Sequence, residues 1–358
     1  MKRKYAVIED ERKAKILTEE LNEELKDDEY LIECMYSMIS AGTELSRFAG
    51  IKKTYPFLPG YCAVGKVLKV GKAIKDVKVN DLVYYNAPHA SHSVWSNNDI
   101  TQGKQVFKLD KKVNPMYATI INLGLVAIQG VNLSKVNVGD SVIVFGLGNI
   151  GLITCLLYKK LGCNVIGIDP VKHRRDLAKK LKIKTSDDYA KYIDTADVVV
   201  DVTGVSPAIV SATEVCKKYG QVVLLGSPRQ KFETNITPLL SNIHMKNLTV
   251  IGAFNNTCPV KEHEGSDNSV IKNLNRIVEM IKNKDIDVEK FISQIISPKD
   301  IQKAYTGLLD HKDKYNCVII DWTKWAHKWA FLISHYFDNN CNLLAIKWLN
   351  LGIKNSKN

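Results

Sequence analysis

The sequence predicts an α/β protein in which a doubly wound parallel sheet is set inside a β-rich domain. Three observations carry this reading. Residues 1–122 form an all-β stretch of short strands separated by Gly/Pro turns (YLIECMYSMIS, CAVGKVLKVG, DLVYYNAP). From Asp140 onward, buried strands alternate strictly with helices, which implies right-handed crossovers and a parallel sheet covered on both faces. The closing strand CVIIDW has no parallel sheet left to join, so it is assigned back to the first domain.

In order, the alternating part reads as strand SVIVF, a helix from about Asn149 to Lys160, strand NVIGID, and a helix from about Val171 to Leu181. Strand DVVVDV, a helix from Pro207 to Lys218, and strands QVVLLG and NLTVIG complete it. A polar stretch, NNTCPVKEHEGSDNS, then leads into an amphipathic helix around Val270 to Lys282. The expected domains are 1–122, 123–253 and a return to the first over 254–322, with a tail at 323–358.

At 358 residues the chain is long enough for about two domains. Its 45% apolar and 25% charged composition is that of a soluble enzyme, and no apolar run is long enough to span a bilayer. The start, MKRKYAVIEDERKAK, turns acidic before any apolar segment, so no signal peptide is read and a cytoplasmic protein is expected. Eight scattered cysteines without a CxxC pair read as reduced thiols. The net charge of +12 comes from lysines interspersed with acidic residues, with no accompanying nucleic-acid motif, and reads as a solvated surface.

The most specific motif is VIVFGLGNIGLITCLLYKKLG: a buried strand, then Gly146-Leu147-Gly148-Asn149-Ile150-Gly151, then a helix. Gly146 permits a tight turn, Gly148 lets the backbone approach a pyrophosphate, and Gly151 allows close packing of helix on strand. The free N–H groups of the helix start then face the phosphates, as in a Rossmann-type dinucleotide site. Asp169, 21 residues after Gly148, stands where a carboxylate accepts from the ribose hydroxyls and repels a 2′-phosphate. NAD(H) is therefore the expected cofactor; Lys172, His173, Arg174 and Arg175 follow closely and favour NADP(H) as the alternative. A helix-capping role for Asp169, with Pro170 at the first helical position, is compatible with either.

With IS-Ala41-GTE, LPGYCAVGKVLKVG, VNVGDSVIVFGLGNIG, DVTG followed by VVLLG, and CVIIDW, the chain resembles the medium-chain dehydrogenase/reductase superfamily over roughly residues 5–322. The resemblance implies a Rossmann domain inserted in a GroES-like substrate domain, and adds Thr203 and Gly226 to the cofactor-binding set. At the positions where zinc members carry ligands, this chain has Ala41, Tyr61-Cys62 and Ile121 or Asn122, which cannot supply the usual three donors. The four-cysteine structural-zinc lobe is missing as well. SAGTELSRFAG, PFLPGYCAVGKV and NCVIIDW look most like a zinc-lacking branch that includes bacteriochlorophyllide a dehydrogenase. The substrate stays open among a chlorin, a sugar, a polyol and another secondary alcohol.

Without a metal, hydrogen-bond donors must stabilise the charge that develops on the substrate oxygen. The candidates are Thr43 as proton relay, Tyr61 at a vacated ligand position, and His92 as proton acceptor, against the plainer readings of turn hydroxyl, cavity filler and structural histidine. His89, His92 and Glu44 form a candidate replacement metal set, although strand alternation separates residues 89 and 92 unless a turn intervenes. Two functions are weighed: NAD(H)-dependent interconversion of a secondary alcohol and a ketone, and nucleotide binding without turnover as a sensor or binding partner. Thr43, at the relay position that the resemblance implies, favours the enzyme. NLTVIGAF offers an edge strand for a homodimer. In the tail, Trp322, Trp325 and Trp329 at helical spacing with several lysines suit a helix on the protein surface, a partner subunit or a membrane interface.

Overall fold

The computed structural model describes residues 1–96, 106–228, 230–262 and 268–324. The first part contains strands β1 (Lys2–Asp10), β2 (Lys13–Glu20) and β3 (Glu29–Met38), helix α1 (Thr43–Phe48), and strands β4 (Ala63–Val70), β5 (Leu82–Tyr85), β6 (His92–Ser96) and β7 (Val106–Lys108). Helices α2 (Pro115–Ala118) and α3 (Ile121–Leu133) follow. Next come β8 (Ser141–Phe145), α4 (Asn149–Lys160), β9 (Asn164–Ile168), α5 (Lys172–Lys180), β10 (Lys184–Ser186), β11 (Ala196–Asp201), α6 (Ser206–Val215), β12 (Cys216–Leu224), α7 (Thr237–Met245) and β13 (Thr249–Gly252). The last elements are α8 (Val270–Lys282), β14 (Ile292–Ile296), α9 (Ile301–Asp310) and β15 (Cys317–Asp321).

Strands β8 to β13 form one parallel sheet in the order β10-β9-β8-β11-β12-β13, doubly wound about β8. Its inner strands are apolar on both faces because both faces are covered. Val142, Val144, Val198 and Val200 point into a cluster shared with α3 and α4, while Ile143, Phe145 and Val199 point into a second cluster against α6. The other sheet runs β14-β15-β3-β4-β5-β7 with β6 also paired to β3, and β1 and β2 form a separate hairpin. The closing strand β15 pairs antiparallel with β3, as its sequence position demands: Ile319 lies opposite Met38. The fold is thus a Rossmann sheet inserted in a β-rich, GroES-like domain. The first apolar cluster runs without interruption from Met38, Cys62 and Tyr84 of the mixed sheet through α3 to the parallel sheet.

Several elements differ from expectation. The stretch expected to be all-β over residues 1–122 also holds helices α1 and α2 and the start of α3. The helix expected over Pro207 to Lys218 ends at Val215, and β12 begins at Cys216. The reason lies in Lys246, whose ammonium donates to the carbonyls of Thr213, Glu214 and Cys216 at 2.9–3.1 Å and pairs with Asp194 at 2.6 Å. Together with the backbone N–H groups of Asp194 and Thr195, which donate to the Glu214 and Val215 carbonyls at 3.1 Å, it satisfies the orphan carbonyls of the helix end, and the chain turns into strand there. Strand β14, half-exposed along its length, has no alternating signature; it gives β15 a parallel partner within the mixed sheet.

At the edge of the parallel sheet, β13 and α7 leave apolar side chains in solvent: Ile236, Leu240, Met245, Val250 and Phe254 are all exposed. Of the C-terminal tail, only Thr323 and Lys324 belong to the described residues, and the expectations for Trp325, Trp329 and the segment beyond lie outside them. No described helix is long and apolar enough to cross a membrane.

Candidate functional site

The glycine loop sits where β8 hands over to α4, beside the point at which the strand order reverses between β8 and β11. Gly146 takes φ 95°, and a side chain at Gly151 would collide with the carbonyl of Gly146, so the helix lies directly on the turn. Above Gly148 there is open space, and α4 starts without any side-chain cap. Its first-turn N–H groups therefore face that space with no side chain covering them, which suits an anion. A dinucleotide fits this cradle on those two observations.

The other predicted residues of the loop play different parts. Leu147 is fully buried and its N–H donates to Asp169 Oδ2 at 2.8 Å. Ile150 is half-buried against the core. Asn149 turns its side chain away from the cradle and exchanges hydrogen bonds with Asn316. Thr203 Oγ1 donates to Asp201 Oδ1 at 2.6 Å and accepts from Val205 N–H at 2.9 Å, while Gly226 N–H donates to Asp201 carbonyl oxygen at 2.8 Å. Both thus line the ends of β11 and β12 beside the crevice, held by Asp201. Burial holds the Asp201 carboxyl above its usual range, against hydrogen bonds from Thr203 and Gly204 that lower it.

Asp169, 1% exposed, closes β9 onto the loop. Its Oδ1 accepts from Val171 N–H at 2.8 Å, and its Oδ2 accepts from Leu147 N–H and, at 3.4 Å, from Arg174. The capping role is therefore realised as a turn bond two residues on, with α5 beginning at Lys172. Three donors leave one of a carboxylate's roughly four acceptor directions for a ribose hydroxyl. Arg175 is committed to the carbonyls of Asp169 and Pro170 and to Asp187, and Lys172 to Asp176. Arg174 and His173 remain at this end of the crevice, each with one buried ring or guanidine nitrogen, Nε of Arg174 and Nε2 of His173, lacking a partner.

On the facing domain, the turn after β3 brings hydroxyls together. Tyr61 donates to Ser40 Oγ, and Thr43 stands close enough to the phenol to lower its pKa. Burial, reinforced by neighbouring Cys62 and Glu44, pushes the Tyr61 phenol well above its usual range, so it remains a proton donor. Cys62 is a fully buried thiol, its pKa raised by burial and by Glu44. Ala41 is exposed on the turn. A methyl group, a phenol engaged by Ser40, a single buried thiol and an amide do not make the usual zinc donor set.

Beneath this turn lies a buried network that sequence reasoning approached only as metal ligands. Glu44, fully buried, accepts from Ser40 N–H at 2.9 Å, from the Tyr305 hydroxyl, and from His89 Nε2 at 3.1 Å. His89 Nδ1 lies 2.9 Å from Ser37 Oγ, which also accepts from Trp322 Nε1 at 2.9 Å. Ser37 Oγ, while accepting from the indole, still has its own proton to give to His89 Nδ1, and with that tautomer Nε2 carries the hydrogen given to Glu44. His92 does not join. It lies on β6 opposite Glu33, with Nδ1 3.1 Å from Ser91 Oγ, about 13 Å along β3 from Ser37 at strand rise. Desolvation lowers its pKa. The set His89, His92 and Glu44 is thus split, and no three His, Cys, Asp or Glu side chains group for a metal among the described residues.

Comparison with known proteins agrees with this fold. A family profile described as "Zinc-binding dehydrogenase" matches residues 149–269, a stretch that excludes positions 41, 61, 62, 121 and 122. The chain is 26% identical over 234 residues to 2-dehydro-3-deoxy-L-galactonate 5-dehydrogenase of Pseudoalteromonas atlantica, covering 62% of each, so it spans less than two thirds of that relative. Galactitol-1-phosphate dehydrogenase from Escherichia coli superposes with a TM-score of 0.76 at 17% identity, over 89% of this chain and 99% of that one. A short chain alcohol dehydrogenase from Escherichia coli CFT073, complexed with cofactor NADH, superposes with a TM-score of 0.74 at 16% identity, over 90% and 99%.

Proposed function

We propose that this chain, which belongs to the medium-chain dehydrogenase/reductase superfamily, interconverts a secondary alcohol and a ketone by zinc-independent hydride transfer with NAD(H). The observation that carries the reading is the pairing of an uncapped helix start above the glycine loop with a phenol held by Ser40 beside Thr43, at the position where a zinc ligand would stand. The relatives above are named for a sugar acid and a sugar-alcohol phosphate, which supports a polyhydroxylated substrate. The hydroxyl cluster favours turnover over the sensor reading.

The nicotinamide, when bound, supplies or accepts the hydride. Residues Gly146 to Gly151 hold the pyrophosphate through backbone N–H groups, and Asp169 receives a ribose hydroxyl. During ketone reduction, Tyr61 donates a hydrogen bond to the substrate oxygen and passes its proton there. Thr43, exposed at the start of α1, returns a proton to Tyr61 from the solvent side. His92, set apart on β6, has no part in this reading.

Thr43→Val is expected to lower turnover by roughly a hundredfold while NADH affinity stays unchanged, and Tyr61→Phe by at least about tenfold. Steady-state kinetics with a ketone panel, paired with NADH titration, measures both; an unimpaired Thr43→Val enzyme removes Thr43 from the relay. In fluorescence titration NADH binds more tightly than NADPH, because Asp169 repels an added phosphate; a reversed preference would show that Arg174 prevails. Elemental analysis of active protein finds no stoichiometric zinc, and chelators leave activity intact; one zinc per chain refutes the metal-free reading. The exposed apolar residues of α7 and β13 support a homodimer, and a monomer in light scattering at micromolar concentration would exclude it.

A further inference from the structure

The dinucleotide cradle and the hydroxyl cluster lie on different sheets, and hydride transfer requires their separation to be fixed within a fraction of an ångström. One buried side-chain pair joins them. Asn316 Nδ2 donates to Asn149 Oδ1 at 2.7 Å, and Asn149 Nδ2 donates back to the Asn316 carbonyl at 3.4 Å. Asn149 is 7% and Asn316 4% exposed, so neither amide has water to fall back on. Asn149 is the first residue of α4, the helix whose start faces the phosphates. Asn316 immediately precedes β15 and is itself fixed, since its N–H donates to Ser293 Oγ at 2.9 Å and Ser293 donates to the Cys317 carbonyl at 3.0 Å.

From Asn316 the contact continues to the site. The Cys317 thiol lies 3.5 Å from Met38 Sδ, Met38 N–H donates to the Cys62 carbonyl at 2.9 Å, and Cys62 follows Tyr61 in the chain. Resting on the oxidoreductase reading above, we propose that Asn316 is a positioning residue, which through Asn149 sets the cofactor helix in register with Tyr61 and so places the nicotinamide against the substrate oxygen. It touches neither cofactor nor substrate.

The test compares wild type with Asn316→Ala, Asn149→Ala and the double variant, each full-length. In each single variant kcat falls roughly ten- to hundredfold, while the NADH dissociation constant stays within about threefold of wild type, because the phosphate contacts are backbone N–H groups. The isotope effect with 4-deuterated NADH rises, and the emission enhancement of bound NADH drops as the ring sees more water. The double variant is no worse than either single one, since both remove the same link. A kcat unchanged in Asn316→Ala, multiplying losses in the double variant, or a loss confined to melting temperature or to NADH affinity overturns the proposal. If Asn316→Ala does not fold, Asn149→Ala, which keeps the helix, decides by the same readouts. A wild-type protein that neither binds NADH nor turns over refutes the oxidoreductase reading itself. Normal wild-type turnover with indifferent variants refutes only the role of Asn316.

Discussion

A carboxylate with no solvent exposure sits under the substrate side of the molecule, and much of the local structure follows from keeping Glu44 satisfied. Removing such a charge from water costs several kcal/mol. Three hydrogen bonds to it, at about 1.5–3 kcal/mol each, offset that cost only if all are present. The donors come from the turn after β3, from the segment before β6 and from α9, so Ser40, His89 and Tyr305 fix three remote segments around one point. Trp322, just past β15, adds a fourth segment through Ser37 and His89. Ser40 is in turn the acceptor for Tyr61, and Gly60 packs against the His89 ring. The position of the phenol is thereby a consequence of the buried carboxylate rather than an independent feature.

The cofactor side uses the same device at smaller scale. Asp169 and Asp201 each end a parallel strand and each turn inward to accept backbone N–H groups of the following turn. Asp169 also accepts from the glycine loop, tying two strand ends into one rim. A rim held by its own carboxylates keeps its shape before any ligand arrives, which lowers the ordering cost of binding. The close approach of Arg174 to Asp169 offsets part of the negative charge at the ribose end, so cofactor choice is a balance between two neighbouring side chains.

The parallel sheet was legible because its signal is local and redundant: SVIVF and the helix from Asn149 to Lys160 fall where the hydrophobic pattern puts them. The return of CVIIDW to the first domain was legible by elimination, and its pairing with β3 follows that logic. Less visible were features fixed by distant partners. The early end of α6 depends on Lys246, about thirty residues away in sequence, and β14 is held by β15 without alternation of its own. His89 and Glu44 were noticed for their chemistry, but their partners Tyr305, Ser37 and Trp322 carry no motif, so a metal set was the nearest pattern available. The motif places Asn149 in the phosphate-binding loop, whereas the direction of its side chain depends on Asn316, far along the chain.

In the proposed zinc-independent mechanism, hydroxyls stand where a metal would, and the rest of the site must provide what the ion would supply. A bound divalent ion stabilises the developing oxyanion by charge and needs no proton transfer. A single preorganised donor contributes about 2.7–4 kcal/mol when water is excluded. In that mechanism Tyr61 delivers it only while protonated and fixed, and both conditions hold: the phenol is buried beside Glu44, which makes the phenolate unfavourable, and it is held by Ser40. A phenol so strongly protonated is a better donor to an arriving ketone than an acceptor from a departing alcohol. On the proposed mechanism the phenol must return to its protonated form in either direction of the reaction, and the exposed Thr43 is the route by which that proton exchanges with solvent.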